Sequence, residues 1–204
     1  MGLFESVSRL WWMTPAAALS VALPFAVMAE DAPAVGKSLE EQLQLCGACH
    51  GVDGNSTQPG TPSLAGQPEL TIVNQMIYFR ERLRRNDVMT PQARGLSDSD
   101  IQALAAYYAE QPIAGPEGEP DDDLMRRGQA LSDAQRCASC HGSGYAGRAQ
   151  MPRLAGQRED YLVDSMQAYR DRTRGGPDST MIDIMRGASD EDIAAMAHYF
   201  AYYQ

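Results

Sequence analysis

Cysteine and histidine are scarce in this chain, which limits the sites that it can build. Only four cysteines and three histidines occur among 204 residues. Basic residues are also few: 17 stand against 27 acidic ones, and the net charge of −10 argues against nucleic-acid binding. Beyond the N-terminus no run is long and apolar enough to cross a bilayer, and no stretch has the sustained alternation of apolar and polar residues that is typical of β-strands. The sequence therefore predicts an all-α protein.

All four cysteines fall in two five-residue motifs, residues 46–50 (Cys-Gly-Ala-Cys-His) and 137–141 (Cys-Ala-Ser-Cys-His). Thiols three positions apart lie on one side of a helical turn, where they can add to the two vinyl groups of a haem. The following histidine then binds the iron. The motifs predict two covalently bound haem c groups, attached through Cys46, Cys49, Cys137 and Cys140, with His50 and His141 as axial ligands.

Other uses of such cysteines are two disulfides, a redox-active pair or a Cys-rich zinc site. None of them explains why histidine follows each pair directly. The third histidine, His198, lies in an apolar stretch over residues 194–203 and is interpreted as a packing or helix-surface residue.

The N-terminus has the pattern of an export signal. Arg9 precedes a largely apolar run over residues 11–27, and small residues end at Ala29, so residues 1–29 are predicted to be a signal peptide cleaved after Ala29. An uncleaved anchor is the alternative, but the run is short and is interrupted by Pro15 and Pro24. Because bacteria attach haem outside the cytoplasm, the predicted location is the periplasm, with peripheral membrane association left open.

The chain contains an internal duplication. Cys137 follows Cys46 by 91 positions, and the segments 62–67 (Pro-Ser-Leu-Ala-Gly-Gln) and 96–108 recur at 152–157 and 188–200. We predict one small domain over residues 30–112, an extended linker over 113–122 rich in proline, glycine and acids, and a second domain over 123–204. Their net charges are −5, −4 and −1 in that order. The N-terminal domain should therefore carry the stronger negative field.

Three helices are expected in each copy. One leads into each haem motif, and a second runs from about Glu69 to Arg84, with its counterpart starting near Glu159. Ser97 and Ser189, each followed three residues later by aspartate, look like the N-caps of the terminal helices.

The second axial ligand decides whether each iron is open to substrates or serves electron transfer. Two methionine pairs match between the copies, Met76 with Met166 and Met89 with Met181. The first pair lies within a predicted helix, where methionine usually fills a core. Met89 lies in a polar stretch without helical period, interpreted as a loop, and is assigned to the first iron. Met181 is assigned to the second because both precede the terminal helix by seven positions; Met185 falls opposite an alanine and is the weaker candidate.

These residues together resemble the dihaem cytochrome c4 family over nearly all of the mature chain. The resemblance implies two class I cytochrome c domains with His/Met iron, and backbone carbonyls of Pro62 and Pro152 that orient the histidines. Arg84 and Arg174 match a basic family position, and their contact with haem propionates is a hypothesis. Two departures leave the local backbone open: Arg82 and Arg172 replace a frequent glycine, and residues 175–176 are an insertion.

The predicted function is transfer of single electrons in the periplasm between a quinol-oxidising complex or dehydrogenase and a terminal oxidase. The alternative is a fixed electron-accepting subunit of a dehydrogenase, of the flavocytochrome c sulfide dehydrogenase type. A dihaem enzyme, such as a thiosulfate dehydrogenase or a peroxidase, needs an open or unusual axial position. The sequence disfavours it because no cysteine is spare and the only spare histidine lies in the last helix. Its predicted partners are redox proteins.

Overall fold

The computed structural model describes residues 37–203, which belong to one compact unit. Within this range the chain forms helices and no named strands, as predicted. The helices are α1 Leu39–His50, α2 Glu69–Arg80, α3 Met89–Ala93, α4 Asp98–Ala109, α5 Asp122–Ala134, α6 Ala138–His141, α7 Glu159–Arg170, α8 Thr180–Met185 and α9 Asp190–Tyr202, with a 3₁₀ turn at Ser143–Tyr145. The predicted signal peptide lies outside the described residues. No helix in the described range is long and apolar enough to span a membrane.

Each half of the unit has its own core. In the N-terminal half α2 packs against α4 around Ile72, Leu104 and Tyr108. In the C-terminal half α9 packs against both α5 and α7, and its apolar residues form the larger cluster. Each core is modest, as expected for a copy of this size. Between α4 and α5 the chain has no helix before Asp122, where α5 begins.

The terminal helices begin at the predicted caps. Ser97 accepts a hydrogen bond from the Asp100 backbone N–H, and the Asp100 carboxylate accepts one from the Ser97 N–H in return. Ser189 accepts a hydrogen bond from the Asp192 N–H. These bonds satisfy backbone N–H donors that have no partner at the start of a helix, so α4 and α9 begin in the same way.

The second helix of the N-terminal copy ends earlier than the sequence predicted, and the expectation that it continues to about Arg84 was wrong. It ends at Arg80, and the chain then turns through Arg82, whose φ is 59°. In the C-terminal half Arg172 has φ 58° at the matching position. Both arginines therefore adopt the left-handed conformation that glycine adopts without strain, and the backbone turn persists although glycine is absent.

The haem motifs are carried differently in the two halves. The first motif lies within the continuous helix α1. In the second half α5 ends at Ala134, Arg136 has a positive φ of 55°, and the motif continues into α6. Gly128 lies where α5 meets α9, and a Cβ there would lie 2.2 Å from the Ala195 carbonyl oxygen. The contact between these helices thus depends on glycine.

Candidate haem sites

The histidine of each motif is buried and forms a hydrogen bond with one backbone carbonyl. His50 and His141 are 7% and 6% exposed. Their Nδ1 atoms lie 2.8 Å from the carbonyl oxygens of Pro62 and Pro152 respectively, as the resemblance implied. This bond fixes the tautomer with Nδ1 protonated, so each Nε2 is the free ligating nitrogen. The two halves repeat this arrangement with the same distance.

Burial and hydrogen bonding set the charge of these groups. Burial lowers the pKa of His50 and of His141 below the ordinary value, although the proline carbonyls act in the opposite direction. Both rings are therefore neutral near pH 7, which is the form that binds iron. Burial also raises the pKa of the Cys46 and Cys137 thiols.

The alternative uses of the cysteines find no support in the described part of the chain. No disulfide joins the four cysteines, all of which lie in the described residues, and Cys49 and Cys140 are exposed. No three cysteine, histidine, aspartate or glutamate side chains within residues 37–203 converge as a metal-binding group. This arrangement does not fit the Cys-rich zinc alternative.

Met89 does not lie in an irregular loop, and that part of the prediction was wrong. It is the first residue of α3, a five-residue helix too short to show a period in the sequence. The Asn86 side chain starts this helix by accepting hydrogen bonds from the N–H groups of Val88 and Met89, at 3.0 and 2.8 Å. Met181 is the second residue of α8, and both methionines are partly buried. Their axial role stays a prediction.

The competing methionines have packing roles. Met166 is 6% exposed and Met185 is 2% exposed, both within the C-terminal core, and Met76 packs against the N-terminal core. Met181 also packs against the C-terminal core but is only partly buried, so the deeper burial of Met166 and Met185 is the difference between them.

Arg84 and Arg174 come together from the two halves. The Arg84 guanidinium donates to the Gln75 amide oxygen at 2.6 Å, and that of Arg174 donates to the Ser165 hydroxyl at 2.7 Å. Burial and the positive charge of Arg174 both lower the pKa of Arg84. Tyr161 lies at the same place, with its hydroxyl 3.3 Å from Arg174 Nη1. Burial raises the pKa of Tyr161, but the charges of Arg174 and Arg84 outweigh it and lower the pKa to about 7.

This cluster fits an anionic group such as a haem propionate. No carboxylate within the described range forms an ion pair with Arg84 or Arg174. The buried Nε of Arg174 has no hydrogen-bond partner. Buried guanidinium groups require an anion nearby, and the propionates of two attached haems would supply one. The sequence analysis missed Tyr161; its only signal was that tyrosine replaces Thr71 at the matching position.

The two halves are joined by reciprocal glutamine contacts. Gln157 accepts a hydrogen bond from the Ser63 N–H at 2.8 Å and donates to the Ser63 carbonyl at 2.9 Å. Gln67 makes the same two bonds with the backbone of Arg153, both at 3.0 Å. The two glutamines end the repeated six-residue segments, so the repeat marks an interface as well as a fold.

Arg153 breaks the symmetry of this interface. Its side chain is 3% exposed, and Nη2 donates to the Ala65 carbonyl of the other half at 2.7 Å. Burial lowers its pKa to about 10. The matching residue, Ser63, is too short to make such a contact.

Comparison with known proteins agrees with two haem sites, one in each half of the chain. The sequence model of the family described as "Cytochrome c" matches residues 125–202, and that described as "Cytochrome C oxidase, cbb3-type, subunit III" matches residues 31–107. Cytochrome c4 of Thiocapsa roseopersicina is 40% identical over 167 residues, which cover 76% of this chain and 85% of that protein. The thiosulfate dehydrogenase electron acceptor of Thiomonas intermedia is 32% identical, with 83% of each chain covered.

A solved structure shows the same architecture. Reduced recombinant cytochrome c4 from Pseudomonas stutzeri superposes with a TM-score of 0.73 at 29% identity, over 83% of this chain and 100% of that one. The all-α tandem of two cytochrome c domains is thereby confirmed, and with it two covalently bound haem c groups at the motifs that contain Cys46 and Cys137. With its two matched haem motifs and this coverage, the chain belongs to the cytochrome c4 family of dihaem electron-transfer proteins.

Proposed function

We propose that this protein carries single electrons in the periplasm, between a quinol-oxidising complex or a dehydrogenase and a terminal oxidase. In this proposal residues 1–29 direct export and are removed, and residues 30–112 and 123–204 each hold one haem. The observation that carries it is the matched pair of buried histidines, each held by a proline carbonyl at 2.8 Å. Electron transfer requires little rearrangement of the ligands around the iron, and two rigidly held histidines in one compact unit meet this requirement.

His50 with Met89, and His141 with Met181, are the proposed ligand pairs. A haem with an imidazole and a thioether has no open position and favours the ferrous state. The chain's own part is to orient each imidazole through its Nδ1 proton and to bring each methionine to the start of a short helix. Neither pair leaves a site for a substrate, so the proposed role is a carrier and not an enzyme.

The experiment that tests this ligation is the absorption spectrum of the ferric protein, with haem content per chain. Two low-spin haems are expected, together with the weak iron-to-methionine charge-transfer band. Met89→Ala and Met181→Ala should each reduce this band by about half, since each removes one of two thioether ligands. The matched controls Met76→Ala and Met166→Ala should retain the band. A full band in Met89→Ala, or a reduced band in Met76→Ala, would contradict the assignment.

Arg84 and Arg174 are proposed to hold haem propionates where the two halves meet, beside the Tyr161 hydroxyl. The support is the pair of half-buried guanidinium groups, which lack a carboxylate partner in the described range. The stacking of each arginine on an aromatic ring, Phe79 at 4.6 Å and Tyr169 at 4.7 Å, keeps the guanidinium planes in place.

A second candidate is a dedicated electron acceptor or fixed subunit of a dehydrogenase. The relative in Thiomonas intermedia is named as the acceptor of a thiosulfate dehydrogenase. Large exposed apolar side chains also favour a protein contact at the N-terminal half. Among the described residues they lie in the N-terminal half and at the linker, none in the C-terminal half: Leu39, Leu45, Val52, Leu70, Leu83, Val88 and Ile113. Leu45 directly precedes the first motif, whereas its counterpart is Arg136.

Mixing the ferric protein with thiosulfate and a purified thiosulfate dehydrogenase tests this candidate. Haem reduction should require both additions, because the chain offers no open iron of its own. Leu45→Arg, which copies the second half, should slow the reduction, and the control Arg136→Gln should not. Reduction by thiosulfate alone would contradict the carrier role, and equal rates for both variants would contradict docking at the N-terminal half.

A further inference from the structure

The glutamine contacts between the halves reach the same peptide groups that hold the histidines. The Pro62 carbonyl that accepts from His50 and the Ser63 N–H that donates to Gln157 belong to one peptide bond. In the other half the peptide bond between Pro152 and Arg153 likewise joins His141 to Gln67. A continuous chain therefore runs from each imidazole through one planar peptide group to a glutamine of the opposite half.

Such a chain couples its two ends electronically. A peptide group is planar and conjugated, so an acceptor on its N–H increases the negative charge on its carbonyl oxygen. A more negative carbonyl draws the Nδ1 proton of the histidine more strongly and makes the imidazole a more basic ligand. Gln67 and Gln157 are 6% and 4% exposed, so water does not compete strongly for these bonds.

We infer that Gln67 and Gln157 are positioning residues that act crosswise: Gln157 tunes the haem iron of the N-terminal half, and Gln67 that of the C-terminal half. The inference rests on the proposed ligation of iron by His50 and His141. Its physical content is that docking of the halves sets the ligand strength at both irons. A chain whose halves separated would lose both contributions together.

The test is a redox titration of the haem-loaded protein followed by NMR, with the haem methyl signals reporting each iron separately. Gln157→Met keeps the side-chain volume and removes both bonds. It should raise the reduced-to-oxidised ratio of the N-terminal haem at a fixed ambient potential by about two- to fivefold, the worth of a weakened hydrogen bond. The C-terminal haem should change little. Gln67→Met should give the converse.

Thr71→Val is the matched interface control. It removes the bond from the Thr71 hydroxyl to the Ala149 carbonyl across the same interface, at 3.2 Å, without touching either peptide group. It should leave both ratios unchanged. Equal shifts at both haems, a shift in the glutamine's own half, or no shift in either variant would overturn the inference.

A measurement on the unaltered protein keeps the inference falsifiable if the variants fail to fold. The backbone N–H groups of Ser63 and Arg153 should exchange with solvent slowly, because buried amide oxygens accept from them. Fast exchange at these two positions would overturn the inference. Two low-spin haems with unmoved ratios would refute the crosswise coupling alone, whereas a high-spin spectrum would refute the ligation on which it rests.

Discussion

Replacing Arg82 or Arg172 by glycine should stabilise this protein. Both residues adopt the left-handed conformation, with φ of 59° and 58°, at the turn that follows the second helix of each half. For an L-residue this conformation costs about 1–2 kcal/mol, because Cβ approaches the following carbonyl oxygen. Both side chains are exposed, and neither forms an ion pair within residues 37–203. Glycine removes this cost, but about 0.5–1 kcal/mol of stability is lost because glycine gives up more conformational entropy on folding.

The net gain in the free energy of unfolding is therefore about 0–1.5 kcal/mol for each substitution. Guanidinium unfolding of the haem-loaded protein, followed by far-UV circular dichroism, measures it, and Tm should rise by about 2–4 °C per kcal/mol for a chain of this size. Arg85→Gly is the matched control: Arg85 is exposed three residues further on and has no positive φ, so glycine should only destabilise there. If Arg82→Gly is as destabilising as Arg85→Gly, the strain argument is refuted.

Three further changes have definite outcomes. Gly128→Ala places a Cβ 2.2 Å from the Ala195 carbonyl oxygen. Chemical unfolding should show that the free energy of unfolding falls by about 1–3 kcal/mol, although alanine has the better helix propensity. An unchanged midpoint would contradict the close contact between the helices. Hydrogen bonds from Ser97 and Gln42 lower the pKa of the Asp100 carboxyl. The wild type should therefore be more stable than Asp100→Asn at neutral pH, and it should lose this advantage as the pH falls through the lowered pKa. A stability difference that does not change with pH would contradict this role of Asp100. In the proposed propionate contact, the half-buried cation of Arg174 favours ferrous iron. Arg174→Gln should therefore lower the reduced-to-oxidised ratio of the contacted haem about tenfold in a redox titration. An unchanged ratio would contradict this contact.

Local features of the chain could be predicted from the sequence because neighbouring residues determine them. The caps at Ser97 and Ser189 depend on hydrogen bonds over three residues, and the haem motifs on contacts within one turn. The start of α3 at Met89 was missed because its signal, the Asn86 side chain, is also typical of a loop. The positive φ of Arg82 was left open, because the family's frequent glycine indicated such a turn at this position whereas arginine does not.

Contacts between the halves could not be predicted because the partners lie far apart in the chain. Gln67 and Gln157 were visible as a repeat, but a repeat does not show what each copy touches. Tyr161 was hidden because its place beside Arg174 and Arg84 depends on how the two halves meet. The grouping of Arg84, Arg174 and Tyr161 therefore required the structure, although the two arginines were candidate residues in the sequence.

The buried side chain of Arg153 makes the two halves non-interchangeable. Two copies of the C-terminal half facing each other would bury two such guanidinium groups together, with no carboxylate to separate their charges. In the structure Arg153 Nη2 donates to the Ala65 carbonyl at 2.7 Å. Two copies of the N-terminal half would have only Ser63 at this position, and its side chain is too short to reach that carbonyl. The Arg153 contact therefore favours the pairing of one N-terminal half with one C-terminal half over the pairing of either half with its own copy.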